Sequence, residues 1–564
     1  AFLRSLSDPS EAVIFVGEHK EPVGVAALSP CGNYLATGDK GGRLIVWNQH
    51  NQQVKTGPCD YAINKNIMDI AWSPDSTKIV ACGNGSEGMA KAVDRDSGNT
   101  FGSVAGNTKT ILSCDFRQER PARIVCGGED FAVTFHEGPP FKLNKKITDN
   151  TNYVNKAKFS PDSSKFLTVS SDMTIHAYEG KTGELLKTID NKTVDGGHTG
   201  AIYSFAWSPN GQQFLTCSAD KTAKLWNYES GTVEKTFTFG KTVNDQQLSC
   251  MWLKDYMCTL SLSGAINYLD ADHPDVPKRV VQGHMTGVVA VAADQAGQVF
   301  YSADRNGTVC AWKDFNASWF SGVGHGSGKP IIDISLNSDA TQLVTVGLDD
   351  KVRFNDVKSQ ELATDALALG GCPTSVASGR ARPDLAAVGL AQDKLVVIAG
   401  GKANTVALAS KPLTLAFNHD DSLLAVGTHK GTIAVFKIAG NGATLAYELK
   451  EHDKPVTRVH WSKDGHLASS SGKRVLIYKD QKVVNPSEWE YHEALVTDVA
   501  FGDGKVASVS NDLGIIVWKD TVKWGTERKA IKMAHREGIV KCAWLRPDLL
   551  LTVGADSCMK VWSC

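Results

Sequence analysis

The chain has no long hydrophobic run, almost no net charge and no paired cysteines, and each absence removes a class of function. Nowhere do about 18 apolar residues follow one another, so no segment reads as a membrane-spanning helix. The start, AFLRSLSDPSEAVIF, lacks the charged region and long apolar core of a secretory signal. With 60 Lys and Arg against 61 Asp and Glu the formal charge is -1, which leaves no basic footprint for nucleic acid or an anionic membrane. Protein partners become the default expectation, and with no heptad pattern so does a monomer. The 13 Cys are scattered singly without a CxxC pair, several of them inside predicted strands (Cys82, Cys126, Cys217, Cys310). They read as reduced core residues of a cytoplasmic protein, and the sequons at Asn84, Asn191, Asn306 and Asn316 as chance matches in turns. The 15 His include no H-E-x-x-H and no Cys/His ligand spacing, so neither a metal nor another cofactor is expected.

What the chain does have is a recurring unit of about forty residues. Its clearest copies end alike, in LTCSADKTAKLWN (215–227), ASVSNDLGIIVWK (507–519) and LTVGADSCMKVWS (551–563). In each, a Ser or Thr stands four residues before an Asp and a Trp six after it: Thr216, Asp220, Trp226; Ser508, Asp512, Trp518; Thr552, Asp556, Trp562. A His lies upstream of each group (His198, His492, His535). This is the WD40 pattern, in which each repeat is a four-stranded blade that buries its faces only by stacking on its neighbours. The Trp-Asp dipeptide itself is absent, so the assignment rests on spacing.

Counting strand, S-P-D-G-like turn, strand and closing aromatic gives thirteen repeats. The first closes at Trp47, with Thr37 in the Thr position but Gly41 where Asp is expected; the second lacks a closing Trp. The third is 111–138, and the rest close at Tyr178, Trp226, near Tyr268, at Trp312, then near Phe354, Val397, Phe436, Tyr478, Trp518 and Trp562. Trp72, Trp207, Trp252, Trp461 and Trp544 recur on inner strands, where large aromatics pack between blades rather than form a ligand cage. Thirteen blades exceed one ring. The expectation is two tandem seven-bladed β-propellers: 18–316 as the first, and 322–564 as six blades of the second. Strands in AFLRSL (1–6) and AVIFVG (12–17) would complete the second ring and cover an exposed edge.

Enzyme readings weaken on inspection. His198, Thr216 and Asp220, or His492, Ser508 and Asp512, have the residue types of a hydrolase triad, but an active site is normally single and this grouping recurs. It reads instead as a buried hydrogen-bond network with each blade's Trp. GNGSEG (83–88) matches G-x-G-x-x-G but precedes a strand, not a helix, and reads as a hairpin loop. HGSGKP (325–330) has Pro330 where a P-loop needs Ser or Thr, and Val323 where it needs Gly.

The wording between the repeats narrows the comparison. RIVCGGEDFAVTFHEGPPF (123–141), YEGKTGEL (178–185), NDQQL (244–248) and LSLSGAINYLD (260–270) resemble the actin-interacting protein 1 family, and EGPPF and SGAINYLD are not demanded by blade geometry. The resemblance is close over roughly 60–270 and looser beyond 320, where the eighth to tenth repeats are degenerate. It implies a pair of seven-bladed propellers that bind filamentous actin, act with ADF/cofilin to disassemble filaments and cap barbed ends, in the cytoplasm on the actin cytoskeleton. The fold alone equally allows a scaffold or adaptor for another complex. The most family-like repeats suggest an interface: Glu129 beside Asp130, with Asp172 and Lys181 flanking the next blade's tight turns and Phe141, after Pro139 and Pro140, as apolar anchor. Asp172, four residues after Thr168, has an alternative role in bonding within its own blade.

Overall fold

The computed structural model describes residues 2–4, 12–14, 19–50, 63, 65–85, 88–284, 286–294, 298–313, 316–322, 324–326, 329–485, 489–519, 527–556 and 558–564. Among them there is no α-helix; the architecture is all-β, built of fourteen antiparallel sheets. Eleven have four strands, 23–48 and 539–563 have three, and Phe2–Arg4 pairs with Ala12–Ile14 as a two-stranded sheet. Apart from that pair, the sheets correspond one to one with the thirteen repeats, and the closing residues from Trp47 to Trp562 lie on third strands. Antiparallel sheets of this size, one per repeat, are the propeller blades that the WD40 spacing predicts. The pattern within a blade follows from stacking. Second strands are covered on both faces, so FLTCS (214–218) is buried throughout, whereas the outer strand Lys142–Ile147 is exposed over its first five residues. Its lysines keep that free edge from pairing with another chain.

A hydrogen-bond relay ties the second and third strands of a blade, and the turn between them, to the loop before its first strand. In sheet 202–238 the Trp226 indole Nε1–H donates to Thr216 Oγ1 (2.8 Å), and the Thr216 hydroxyl donates to His198 Nε2 (2.7 Å). His198 Nδ1–H then donates to Asp220 Oδ2 (2.8 Å). A neutral imidazole has one donor and one acceptor nitrogen, which is what the relay uses. Burial lowers the His198 pKa, consistent with that form. Burial pushes the Asp220 carboxyl up, but hydrogen bonds from His198, Thr222 and Thr199 outweigh it and hold it well below the usual carboxylate range. The expected groups His492, Ser508, Asp512, Trp518 and His535, Thr552, Asp556, Trp562 form the same relay, with His–Asp distances of 2.8 and 2.9 Å.

The relay also occurs where spacing did not reveal it. In the first repeat the acid is Asp39, two residues after Thr37, not Gly41: His19 reaches Asp39 (2.7 Å) and Thr37 (2.7 Å), and Trp47 donates to Thr37. Asp39 caps the N–H groups of Gly41 and Arg43, so it bridges the turn from its near side. Asp304 does the same with His284 and Ser302. His325, at the head of the P-loop-like segment, bonds Asp349 and Thr345 as a relay member; residues 327–328 and Val323 lie outside the described residues. The GNGSEG segment joins strands Lys78–Gly83 and Ala90–Asp94, which pair antiparallel, while its residues 86–87 lie outside the described residues.

Tight turns after the first strands link one blade to the next. The fourth residue of the S-P-D-S type turn takes a left-handed conformation, at Ser76 (φ 57), Ser163 (φ 56) and Asp421 (φ 59). Its side chain then reaches the preceding sheet: Ser76 Oγ accepts from Cys31 N, Ser163 Oγ from Gln118 N, and Asp421 from the N–H groups of Arg380, Ala381 and Arg382. First strands line the axis of each unit and carry buried charge. Asp69 meets Lys156 at 2.9 Å in one unit, and Arg458 meets Asp498 at 3.0 Å in the other.

The chain divides into two compact units, Ala1–Val281 and Gln282–Cys564. This differs from the expected division at 316–322. Sheet 288–319, placed in the first ring by counting, packs its first strand Val288–Ala293 against both Ile331–Leu336 and Ile539–Arg546. The second unit therefore closes as seven sheets without the N-terminal strands, and Phe2–Arg4 and Ala12–Ile14 group with the first unit. The remaining residues of 1–17 lie outside the described residues. Cys82, Cys126, Cys217 and Cys310 are buried, and among the described residues every cysteine is free.

Trp226→Ala is expected to cost about 3–5 kcal/mol, as a cavity in a fully packed blade; urea denaturation measures it, and an unchanged midpoint would exclude the relay as a stabilising element. A second expectation concerns acid. Burial, with the Arg474 charge adding to it, lowers the pKa of His452 to about 4 from 6.5. A folded pKa below the unfolded one means that stability is fully present above pH 6.5 and is lost as pH falls through about 4. Melting temperature should fall across that interval, less steeply in His452→Gln.

Candidate functional site

Among the described residues, the turn between strands Arg123–Gly128 and Val133–Glu137 carries an unusual side chain for its backbone. Asp130 occupies the relay position, and Asn107 replaces the His: Asn107 Nδ2 donates to Asp130 Oδ1 (2.8 Å), and Thr108 N donates to its Oδ2 (2.9 Å). Burial raises the Asp130 pKa, but these hydrogen bonds and Lys146 outweigh it and lower it overall. The residue that follows must be left-handed to close the turn. Gly42, Gly307 and Gly431 fill this place elsewhere, whereas here it is Phe131 with φ 66, followed on the next two blades by Met173 (φ 73) and Lys221 (φ 70). A bulky residue in that region costs roughly 1–2 kcal/mol, and strain of this kind concentrates where a side chain has a task.

Phe131 is 37% exposed and its ring lies 5.7 Å from that of Tyr153, which is 43% exposed. The Lys109 ammonium stands 5.9 Å from the Phe131 ring centre. Glu129, half-buried and two residues before Phe131, anchors the turn through its backbone N–H to Thr110 O (2.9 Å). The result is a partly apolar surface bearing both charge signs, on a rigid pair of blades, with the aromatic and charged residue types that supply anchor energy in protein interfaces.

The five residues expected to form one interface do not come together. Phe141 is buried: it packs edge to face on Phe116 (5.4 Å) inside the core formed with Ile111, Cys114 and Cys126, so it offers no surface anchor. It also lies beyond the opposite end of strand Val133–Glu137 from Phe131. Lys181 sits at that far end too; its side chain is exposed and its carbonyl accepts from Arg123 Nε (3.1 Å). Asp172 takes the role within its blade, accepting from Thr151 N (2.7 Å) and Thr174 N (2.8 Å) while 8% exposed. Burial raises its pKa and those hydrogen bonds bring it below the usual value. Asp130 is spent in the same way, which leaves Glu129 with Phe131, Tyr153 and Lys109. The signal for Phe131 was legible as a large aromatic in a turn position that calls for Gly.

The triad-like groups have no free nucleophile. Thr216 is fully buried and its hydroxyl is held between an indole and an imidazole.

The WD40 family model, described as WD domain, G-beta repeat, matches residues 11–48, 141–179, 184–227, 275–313 and 443–479. The "66 kDa stress protein" of Physarum polycephalum is 34% identical over 571 residues, covering 100% of this chain and 93% of that protein. The "WD repeat-containing protein 1" of Gallus gallus is 33% identical over 574 residues (100% and 92%). The "Actin-interacting protein 1" of Drosophila melanogaster is 32% identical over 567 residues (99% and 91%).

If Phe131 is strained for a task rather than for stability, Phe131→Gly should melt no lower than the parent, gaining up to about 1 kcal/mol. A clear loss of stability on calorimetry would show that the aromatic pair holds the fold.

Proposed function

The chain belongs to the actin-interacting protein 1 family of WD-repeat proteins, and we propose that it binds filamentous actin and, with ADF/cofilin, promotes filament disassembly and caps barbed ends. The observation that carries this reading is kinship along the whole length with a protein named for interaction with actin. A role on the actin cytoskeleton of the cytoplasm, as a monomer, follows from the same reading. The chain works by binding and not by turnover, since its triad-like groups are internal struts of the blades.

The face that meets the filament is the one bearing Glu129, Phe131, Tyr153 and Lys109. Aromatic and charged anchors on rigid turns bind without ordering a flexible loop, which lowers the entropic cost of association. Phe131 and Tyr153 would enter an apolar recess of the partner, and Glu129 and Lys109 would set register through opposite charges.

The test is pelleting with filamentous actin, with and without cofilin, followed by a disassembly assay. The parent should pellet with actin more strongly when cofilin is present. The Glu129→Ala, Phe131→Ala double variant should keep its melting profile and disassemble cofilin-decorated filaments about tenfold more slowly or worse, since even one interface anchor worth roughly 2 kcal/mol changes affinity by more than tenfold. A parental rate in the folded variant moves the interface elsewhere. Absence of cofilin-dependent binding in the parent would leave a general WD40 scaffold as the reading.

A further inference from the structure

In the second unit, the first strands of the seven sheets form a closed inner wall. Three acidic side chains near that wall are already committed. Asp498 binds Arg458 (3.0 Å), Asp333 binds Lys541 (3.5 Å), and Asp421 caps three consecutive N–H groups of the turn at 380–382. That turn follows strand Pro373–Ser378 and carries Arg380 toward strand Val456–Trp461, where one guanidinium nitrogen, Nη1, donates to Trp461 O (3.0 Å). The other, Nη2, lies 3.2 Å from His460 Nε2. Among the described residues no carboxylate pairs with the Arg380 guanidinium, and both Arg380 and His460 remain partly exposed.

The contact between Arg380 and His460 is mismatched. His460 Nδ1 faces the Phe501 N–H at 3.3 Å and accepts from it. A neutral imidazole that accepts at Nδ1 carries its proton on Nε2, so Nε2–H and Nη2–H point at each other. Reversing the tautomer moves the mismatch to Phe501, and protonating the ring worsens both contacts. Burial, followed by the charges of Arg380 and Arg458, holds the imidazole well below its ordinary pKa, so the ring is neutral. A third donor lies in the same stretch: Trp461 is 5% exposed, and its indole N–H has no acceptor among the described residues. The equivalent indoles of Trp72 and Trp544 donate to carbonyls at 2.9 and 3.1 Å.

We propose that this end of the second unit's inner wall is a binding site for a small oxyanion of the phosphate class, held between Arg380 and His460. An oxyanion accepts from Nη2–H and Nε2–H together, which removes the mismatch, and it places a negative charge directly on a guanidinium that feels Asp421 only at longer range and bonds no carboxylate among the described residues. Arginine suits this role because its planar, permanently charged fork matches phosphate oxygens. The proposal is independent of the filament-binding face, which lies in the other unit.

Isothermal titration calorimetry of the whole chain with inorganic phosphate, at ionic strength held constant with chloride, tests it. Saturable binding with a Kd on the order of 1 mM is expected for one partly exposed two-donor site. Both Arg380→Met and His460→Leu should weaken it about tenfold or more. Because Arg380 also holds Trp461 O, His460→Leu decides the matter alone if Arg380→Met does not fold. A parallel titration with glycerol 3-phosphate distinguishes the free anion from a phosphoryl ester: equal affinity assigns the site to a terminal phosphoryl group, and binding of phosphate alone assigns it to the free ion. Absence of saturable binding in the parent, or parental affinity in a folded His460→Leu variant, overturns the proposal.

Discussion

The relay from indole to hydroxyl to imidazole to carboxylate is the interaction on which the rest depends. A blade's second and third strands are covered on both faces, so any polar atom placed there must be satisfied inside the blade. The relay does this with four side chains, and it fastens the loop before the first strand to the turn between the second and third. That turn is where the surface residues stand. A displaced His198 or Thr216 would therefore act on the exposed edge of its blade as well as on its core.

A second layer of constraint joins the blades. The turns at Ser76, Ser163 and Asp421 reach back to the sheet before them, and first strands exchange charge pairs around the axis, with Asp69 held by Lys156 and Asp498 by Arg458. Asp69 and Asp498 are buried, whereas Lys156 and Arg458 keep part of their side chains in solvent. Removing the cation would strand a buried carboxylate, a larger penalty than the pair's own net contribution.

The repeats were legible because their period, their turns and the Thr–Asp–Trp spacing are local properties of the chain. The thirteen repeats, their closing residues and the three complete relays were read from residues alone. What spacing missed had local physical reasons. Asp39 and Asp304 bridge the turn from two residues after the hydroxyl instead of four, and Asn107 replaces the His with a shorter amide. The division into units was not legible, because whether sheet 288–319 turns toward earlier or later blades is decided by contacts between Val288–Ala293 and Ile539–Arg546, far apart in sequence. Phe141 was misplaced for a similar reason: an aromatic after two prolines looks exposed, but its burial depends on how Phe116 is presented by a neighbouring strand. Phe131 is the opposite case: a large aromatic in a turn position that calls for Gly is a clue contained in the local sequence.

Closure of the second unit also bears on how it is made. Its sheets follow one another along the chain, so each can dock on its predecessor as synthesis proceeds. The seam between Val288–Ala293 and Ile539–Arg546 must wait until the last blade has been made. Until then the first and last blades each leave one face uncovered, a vulnerable interval for any protein rich in strand edges. The entropy of bringing such distant ends together grows only slowly with their separation. The open seam before the last blade is made is thus a greater hazard to this ring than the entropy of closing it.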